Sequence, residues 1–155
     1  MGNHLRPIRV AAVGDIHAGI DSAAPIRAAV EDIRRRADLL VLAGDFTQRG
    51  TVEEAAVVAR ELARLELPAF AVLGNHDYHM GAEKGIRTAL EQAGVRVLEG
   101  EAGACKVNGV RVAVAGVKGF GSGFAVGRDW RDCAWVERAR RRRLPGYSAL
   151  VRGRL

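Results

Sequence analysis

Oxygen and imidazole donors gather in three short segments of this chain. Gly14-Asp15-Ile16-His17, Gly44-Asp45 and Gly74-Asn75-His76-Asp77 each directly follow a short apolar run. Carboxylate and amide oxygens combined with imidazole suit manganese, iron, zinc or magnesium. Asp15 and His17 are two residues apart where an apolar run ends, so on extended backbone they would share a face. Asp45 follows a glycine, which lets backbone approach closely, and its two oxygens can bridge two ions. Asn75 offers a neutral oxygen. His76, beside the acid Asp77, has the chemistry to give a proton to a leaving group. Taken one at a time, each segment also reads as a polar turn or a helix cap. The ordered trio, each closing an apolar run, favours a metal site.

The elements that must position these donors follow from the hydropathy pattern. Residues 8–13, 39–43, 69–73 and 95–98 are apolar runs too short for helices and read as strands. Between them lie amphipathic stretches at 22–36, 52–65 and 83–93. Ser22 or Asp21 is the expected N-cap of the first, with Pro25 in its first turn. Thr51, with Glu54 three residues later, forms a capping box for the second. Gly94 stops the third. Strands alternating with helices of this length make βαβ units and a mostly parallel sheet, with helices expected on both faces. In such a sheet ligands bind at the carboxyl ends of the strands, where all three donor segments fall. Residues 104–107 and 110–115 flank Asn108-Gly109, the strongest short hairpin signal.

The three donor segments resemble the first three signature motifs of the calcineurin-like metallophosphoesterases. The loop Gly44-Asp45-Phe46-Thr47-Gln48-Arg49-Gly50, in which an Arg precedes a Gly, is similar to that family's second loop. The resemblance covers residues 6–127. It implies an α/β fold, a β-sandwich flanked by helices, here incomplete: a βαβαβαβ half plus a β-hairpin. It implies that Asp15 and His17 bind a first metal ion, that Asp45 bridges two ions and that Asn75 binds the second. His76 would stabilise or protonate the leaving group, oriented by Asp77. Arg49 would contact substrate phosphate, with helix capping or a salt bridge as an equal alternative. The implied cofactors are two divalent ions (manganese, iron or zinc), and the implied reaction is hydrolysis of phosphate mono- or diesters by a bridging hydroxide attacking in line.

The chain departs from that pattern in its second half. Its four histidines are His4, His17, His76 and His79, and none lies beyond residue 79. The family's later histidine motifs, including Gly-His-x-His, are missing. The first ion would keep Asp15, His17 and Asp45; the second would keep only Asp45 and Asn75. The residues present can hold one ion weakly, with water completing its shell, and are poor for a second, so a truncated, weak or inactive hydrolase is expected. A degenerate, non-catalytic binding module of the same fold is the alternative. His79 reads as a solvated loop residue.

Composition and charge narrow the partners. Hydrophobic residues make up 48% of 155, a globular composition. No apolar run is long enough to span a membrane. Cys105 and Cys133 lack metal or redox spacing and read as reduced thiols, so a cytoplasmic location is expected. The net charge of +6 belongs entirely to residues 128–155, which hold nine Arg and three acids. This basic tail reads either as natural or as a shifted reading frame after Gly127. It raises nucleic-acid or anionic-surface binding as a third function, which the lack of aromatics within residues 138–143 disfavours. An incomplete sandwich would leave sheet surface uncovered, and self-association is expected from that.

Overall fold

The computed structural model describes residues 6–118. These fall within one compact unit, Met1–Gly121. The expected domain boundary at residue 127, the basic tail and Cys133 lie outside the described residues.

Four parallel strands form the main sheet in the order β1 (Val10–Val13), β2 (Leu39–Ala43), β3 (Ala69–Val72) and β4 (Val95–Val97). Helices α1 (Ala23–Arg36), α2 (Val52–Leu62) and α3 (Glu83–Gln92) connect them in turn. The register aligns side chains in rows that cross all four strands. Ala11, Leu40, Ala69 and Val95 make one row, and Val13, Leu42, Ala71 and Val97 the next. Both rows pack with Val30 of α1, Ala55, Val58 and Leu62 of α2, and Ile86 and Leu90 of α3. Leu40, Ile86 and Leu90 have no solvent exposure, and each such side chain contributes roughly 1.5–3 kcal/mol by burial.

All three helices therefore share one face, which corrects the expectation of helices on both. A strand order that never reverses, combined with right-handed crossovers, returns every helix to the same side. The opposite face is covered by the antiparallel pair β5 (Glu101–Val107) and β6 (Val110–Gly116). Leu39, Phe70 and Leu98 meet Cys105, Val112 and Val114 there, and burial pushes the Cys105 thiol up. The turn between the two strands has positive φ at both Asn108 (48°) and Gly109 (82°), as a two-residue hairpin requires. Gly116 is needed where β6 meets the sheet: a Cβ there would lie 2.7 Å from Leu98 Cβ and 2.8 Å from Val72 Cγ1.

Local capping follows the sequence in one helix and departs from it in another. At α2 the Thr51 hydroxyl accepts from Glu54 N at 3.2 Å, and the Glu54 carboxylate accepts from Thr51 N at 3.4 Å. At α1, Ser22 occupies the cap position but its hydroxyl accepts backwards from Gly19 N at 3.0 Å instead. Helices α1 and α2 are joined by Glu61, whose fully buried side chain receives both Arg27 Nε and Nη2 at 2.9 Å. At the sheet edge β1 keeps Val10 54% exposed. No helix among the described residues is long and apolar enough to cross a membrane.

Two outcomes are expected. Gly116→Ala should lower unfolding free energy by about 1–3 kcal/mol through overpacking, read as a lower denaturant midpoint with an unchanged slope. The Arg27 hydrogen bond and charge, aided by Arg64 and Arg60 and opposed by burial, hold the Glu61 carboxyl below its ordinary range. A lowered folded-state value stabilises fully above the unfolded value and is lost as pH falls through the folded one. The melting-temperature gap between wild type and Glu61→Gln should therefore be widest at neutral pH and narrow in acid. A gap constant down to strongly acidic pH would contradict this.

Candidate metal centre

The three donor loops lie at the carboxyl ends of β1, β2 and β3, and the first two continue the ladder of the sheet. Asp15 N donates to Gly44 O at 3.2 Å, His17 N to Asp45 O at 2.9 Å and Ala18 N to Phe46 O at 2.9 Å. Ala18 and Thr47 form a parallel bridge. The backbone is nevertheless not extended. Asp15 (φ 54°), His17 (φ 45°) and Asp45 (φ 53°) all take the left-handed conformation. The shared face expected for Asp15 and His17 on extended backbone is thus replaced by a twisted path, which still leaves Asp15 Oδ1 3.9 Å from His17 Nε2. A left-handed residue with a side chain costs roughly 1–2 kcal/mol, and such strain clusters at functional sites.

The second and third loops meet through a buried acid. Asp77, with no solvent exposure, accepts from Thr47 N at 3.0 Å, Thr47 Oγ1 at 2.8 Å, Gly74 N at 2.9 Å and Phe46 N at 3.3 Å. This differs from the role expected for it. Asp77 does not orient the His76 imidazole; the His76 Nδ1 lies 2.9 Å from the Gln48 carbonyl oxygen instead. A carbonyl only accepts, so the contact puts the proton on Nδ1 and leaves Nε2 free. Asp45 Oδ1 accepts from His76 N at 2.9 Å. The approach is tight: a Cβ on Gly74 would come 2.1 Å from Asp45 Oδ1, and one on Gly44 2.8 Å from Gly74 N.

His76 to Tyr78 form a single 3-10 turn where the sequence suggested only loop. The Tyr78 hydroxyl donates to Glu99, and Lys118 sits over the ring, 3.3 Å from its centroid. Burial, then the hydrogen bond and charge of Glu99, push the Tyr78 phenol up to about 12.

His17, Asp45 and His76 each bring one donor atom within 4.8 Å of the others. Asp15 stands at the edge of this group with its side chain 84% exposed. Asn75 is exposed and its side chain caps nothing. The Arg49 side chain is exposed and, among the described residues, has no acidic partner; its backbone N donates to Glu54 Oε2 at 2.9 Å, so it joins the α2 cap through the main chain. His79 is exposed, yet its ring centroid is 4.4 Å from that of His76, which is in turn 4.3 Å from His17. The sequence reading missed this row of three rings; the three-residue spacing of His76 and His79 would have signalled it only if the turn had been foreseen.

A second concavity lies at the other end of the strands, lined by Glu31, Arg34, Asp38, Glu66 and Lys106 among others. Arg34 there pairs with Glu31 and Glu66, and Asp38 with Arg6 and Arg9. Arg9 and Arg6 hold the Asp38 carboxyl well below its ordinary range. The acids there are thus paired with arginines, whereas the donors of the carboxyl edge converge on one another.

The calcineurin-like phosphoesterase family matches the chain over residues 8–136. This chain belongs to that family. Its members are metal-dependent hydrolases of phosphoesters, and the donor set of carboxylate, amide and imidazole fits a divalent ion. The chain is also similar to an uncharacterized metallophosphoesterase of Aquifex aeolicus (strain VF5), 44% identical over 71 residues. That alignment covers 44% of this chain and 26% of the relative, so the chain spans about a quarter of that protein's length.

Asp77→Ala should cost about 3 kcal/mol or more, because each buried donor left without a partner costs roughly 1–3 kcal/mol. Thermal melts and proteolysis of the 44–50 and 74–82 loops would read the loss. Stability equal to wild type would mean that the four bonds do not hold the loops.

Proposed function

We propose that the chain hydrolyses phosphate mono- or diesters with divalent ions held by Asp15, His17, Asp45 and Asn75. The observation that carries this reading is the convergence of His17, Asp45 and His76 within 4.8 Å, inside the segment matched by the family. When bound, such ions neutralise charge on phosphoryl oxygens and lower the pKa of water. Manganese, iron and zinc all suit these ligands.

The chain's own residues would divide the remaining work. Asp45, whose Oδ1 is held by His76 N, keeps its other oxygen for an ion. Asp15 and His17 bind from the first loop, and Asn75 from the third. His76, fixed through Nδ1 by the Gln48 carbonyl, presents Nε2 and, when that nitrogen is protonated as well, can deliver the proton to the leaving oxygen. Asp77 acts at a distance by fixing the loops that carry Asp45 and His76. Arg49, exposed beside them, is the side chain suited to a phosphoryl oxygen.

A second reading is binding without catalysis, in which the one group His17, Asp45 and His76 found among the described residues holds a single ion. The exposed edge of β1 supports the self-association expected from the sequence.

Hydrolysis of a chromogenic phosphodiester with added manganese, compared with Asp45→Asn, tests the proposal. Activity should require the metal and fall by roughly 100-fold or more in the variant. Turnover no greater than that of the variant would favour the non-catalytic reading.

A further inference from the structure

Three features suit His76 to bind metal directly. Its Nδ1–H is already committed to the Gln48 carbonyl at 2.9 Å, and metal-binding histidines generally hold their second nitrogen in this way. Its partner Asp45 is pinned in turn, because Oδ1 accepts from His76 N at 2.9 Å, so one oxygen is oriented and the other left free. His17, the second imidazole, packs edge-on against His76 at 75° with centroids 4.3 Å apart. Among the described residues, the group of possible ligands so formed contains His17, Asp45 and His76. It includes neither the outward Asp15 nor His79.

We infer that a single ion in this chain binds between His17, Asp45 and His76, with His76 as a ligand through Nε2. Two imidazoles and one carboxylate on one side of an ion form a recognised three-ligand set with open positions opposite. Ligand atoms about 2.0–2.2 Å from an ion lie roughly 3–4 Å from one another, so separations of up to 4.8 Å need to close by about 1–2 Å. His17 can supply that movement, since its side chain is 38% exposed. This inference rests on the metal-dependent reading and revises what His76 does when one ion is bound. The ion then holds the nitrogen that would serve the leaving group, so the one-ion form binds metal without a free proton donor. Binding by Asp15 and Asn75 belongs to a different arrangement, in which Nε2 is released.

The test is a zinc titration of the 155-residue chain, followed through imidazole nitrogen resonances and by calorimetry. One equivalent of zinc should shift Nε2 of His76 together with a nitrogen of His17, and leave His79 in place. His76→Gln should weaken first-ion affinity by about 10-fold or more, and Asn75→Ala by less than about 3-fold. The wild-type resonances decide the matter even if the variant is unstable. Zinc that shifts His17 but not His76, with affinity lost in Asp15→Asn and Asn75→Ala, would overturn this inference and leave the hydrolytic reading intact. No zinc binding at all would overturn both.

Discussion

The second loop, with left-handed Gly44 and Asp45, and the third meet at a close glycine contact and need something to hold them in register, and the Asp77 carboxylate supplies it. Three of its four hydrogen bonds come from backbone N–H groups, at Phe46, Thr47 and Gly74. A buried N–H without a partner is costly, so the acid is required by the loops as much as the loops are shaped by it. Asp45 sits one residue before Phe46, and His76 one residue before Asp77. Fixing the buried acid therefore fixes both donors, and the bond from His76 N to Asp45 Oδ1 ties them directly. The strain of left-handed Asp45 persists because these bonds leave the backbone no cheaper path.

The sheet makes this arrangement possible through its strand order. Because β1, β2 and β3 are neighbours in sequence and in space, their exit loops emerge side by side on one edge. Hydrogen bonding then continues past the strands, from Asp15, His17 and Ala18 to the backbone of residues 44–46. Placing all three helices on one face leaves the other for the hairpin, and Gly103 and Gly116 allow it to lie close. A Cβ on Gly103 would come 2.5 Å from the Phe70 ring. The carboxyl edge itself is left open by both layers.

Much of this was legible in the sequence where the determinant is local. The run Leu39–Ala43 forms a strand with the expected ends, because five apolar residues between polar turns admit little else. The Thr51–Glu54 capping box forms as its spacing implies, and Asn108-Gly109 sets the hairpin register through its own φ preferences. The one-sided helix layer was not legible, since it depends on strand order, which no single segment encodes. The role of Asp77 was missed for a related reason. Adjacency suggested that it serves His76, but a side chain following a turn is directed by the turn, and the turn sends it under the second loop. Left-handed backbone at Asp15, His17 and Asp45 was equally hidden, because Asp tolerates that region without demanding it.

The site also grades from rigid to loose, and the grade follows burial. Asp77 is fully enclosed, Asp45 and His76 are half-buried and doubly tethered, and His17 and Asp15 are increasingly exposed. Affinity for an ion depends on how far ligands are held in place before it arrives. Asp45 and His76 are therefore better prepared to receive an ion than Asp15, His17 or the exposed Asn75. This ordering runs opposite to the one suggested by the motifs, in which Asp15 and His17 come first. A donor's standing in a motif reflects the complete fold, whereas its preparation in this chain reflects the hydrogen bonds that the described residues themselves supply.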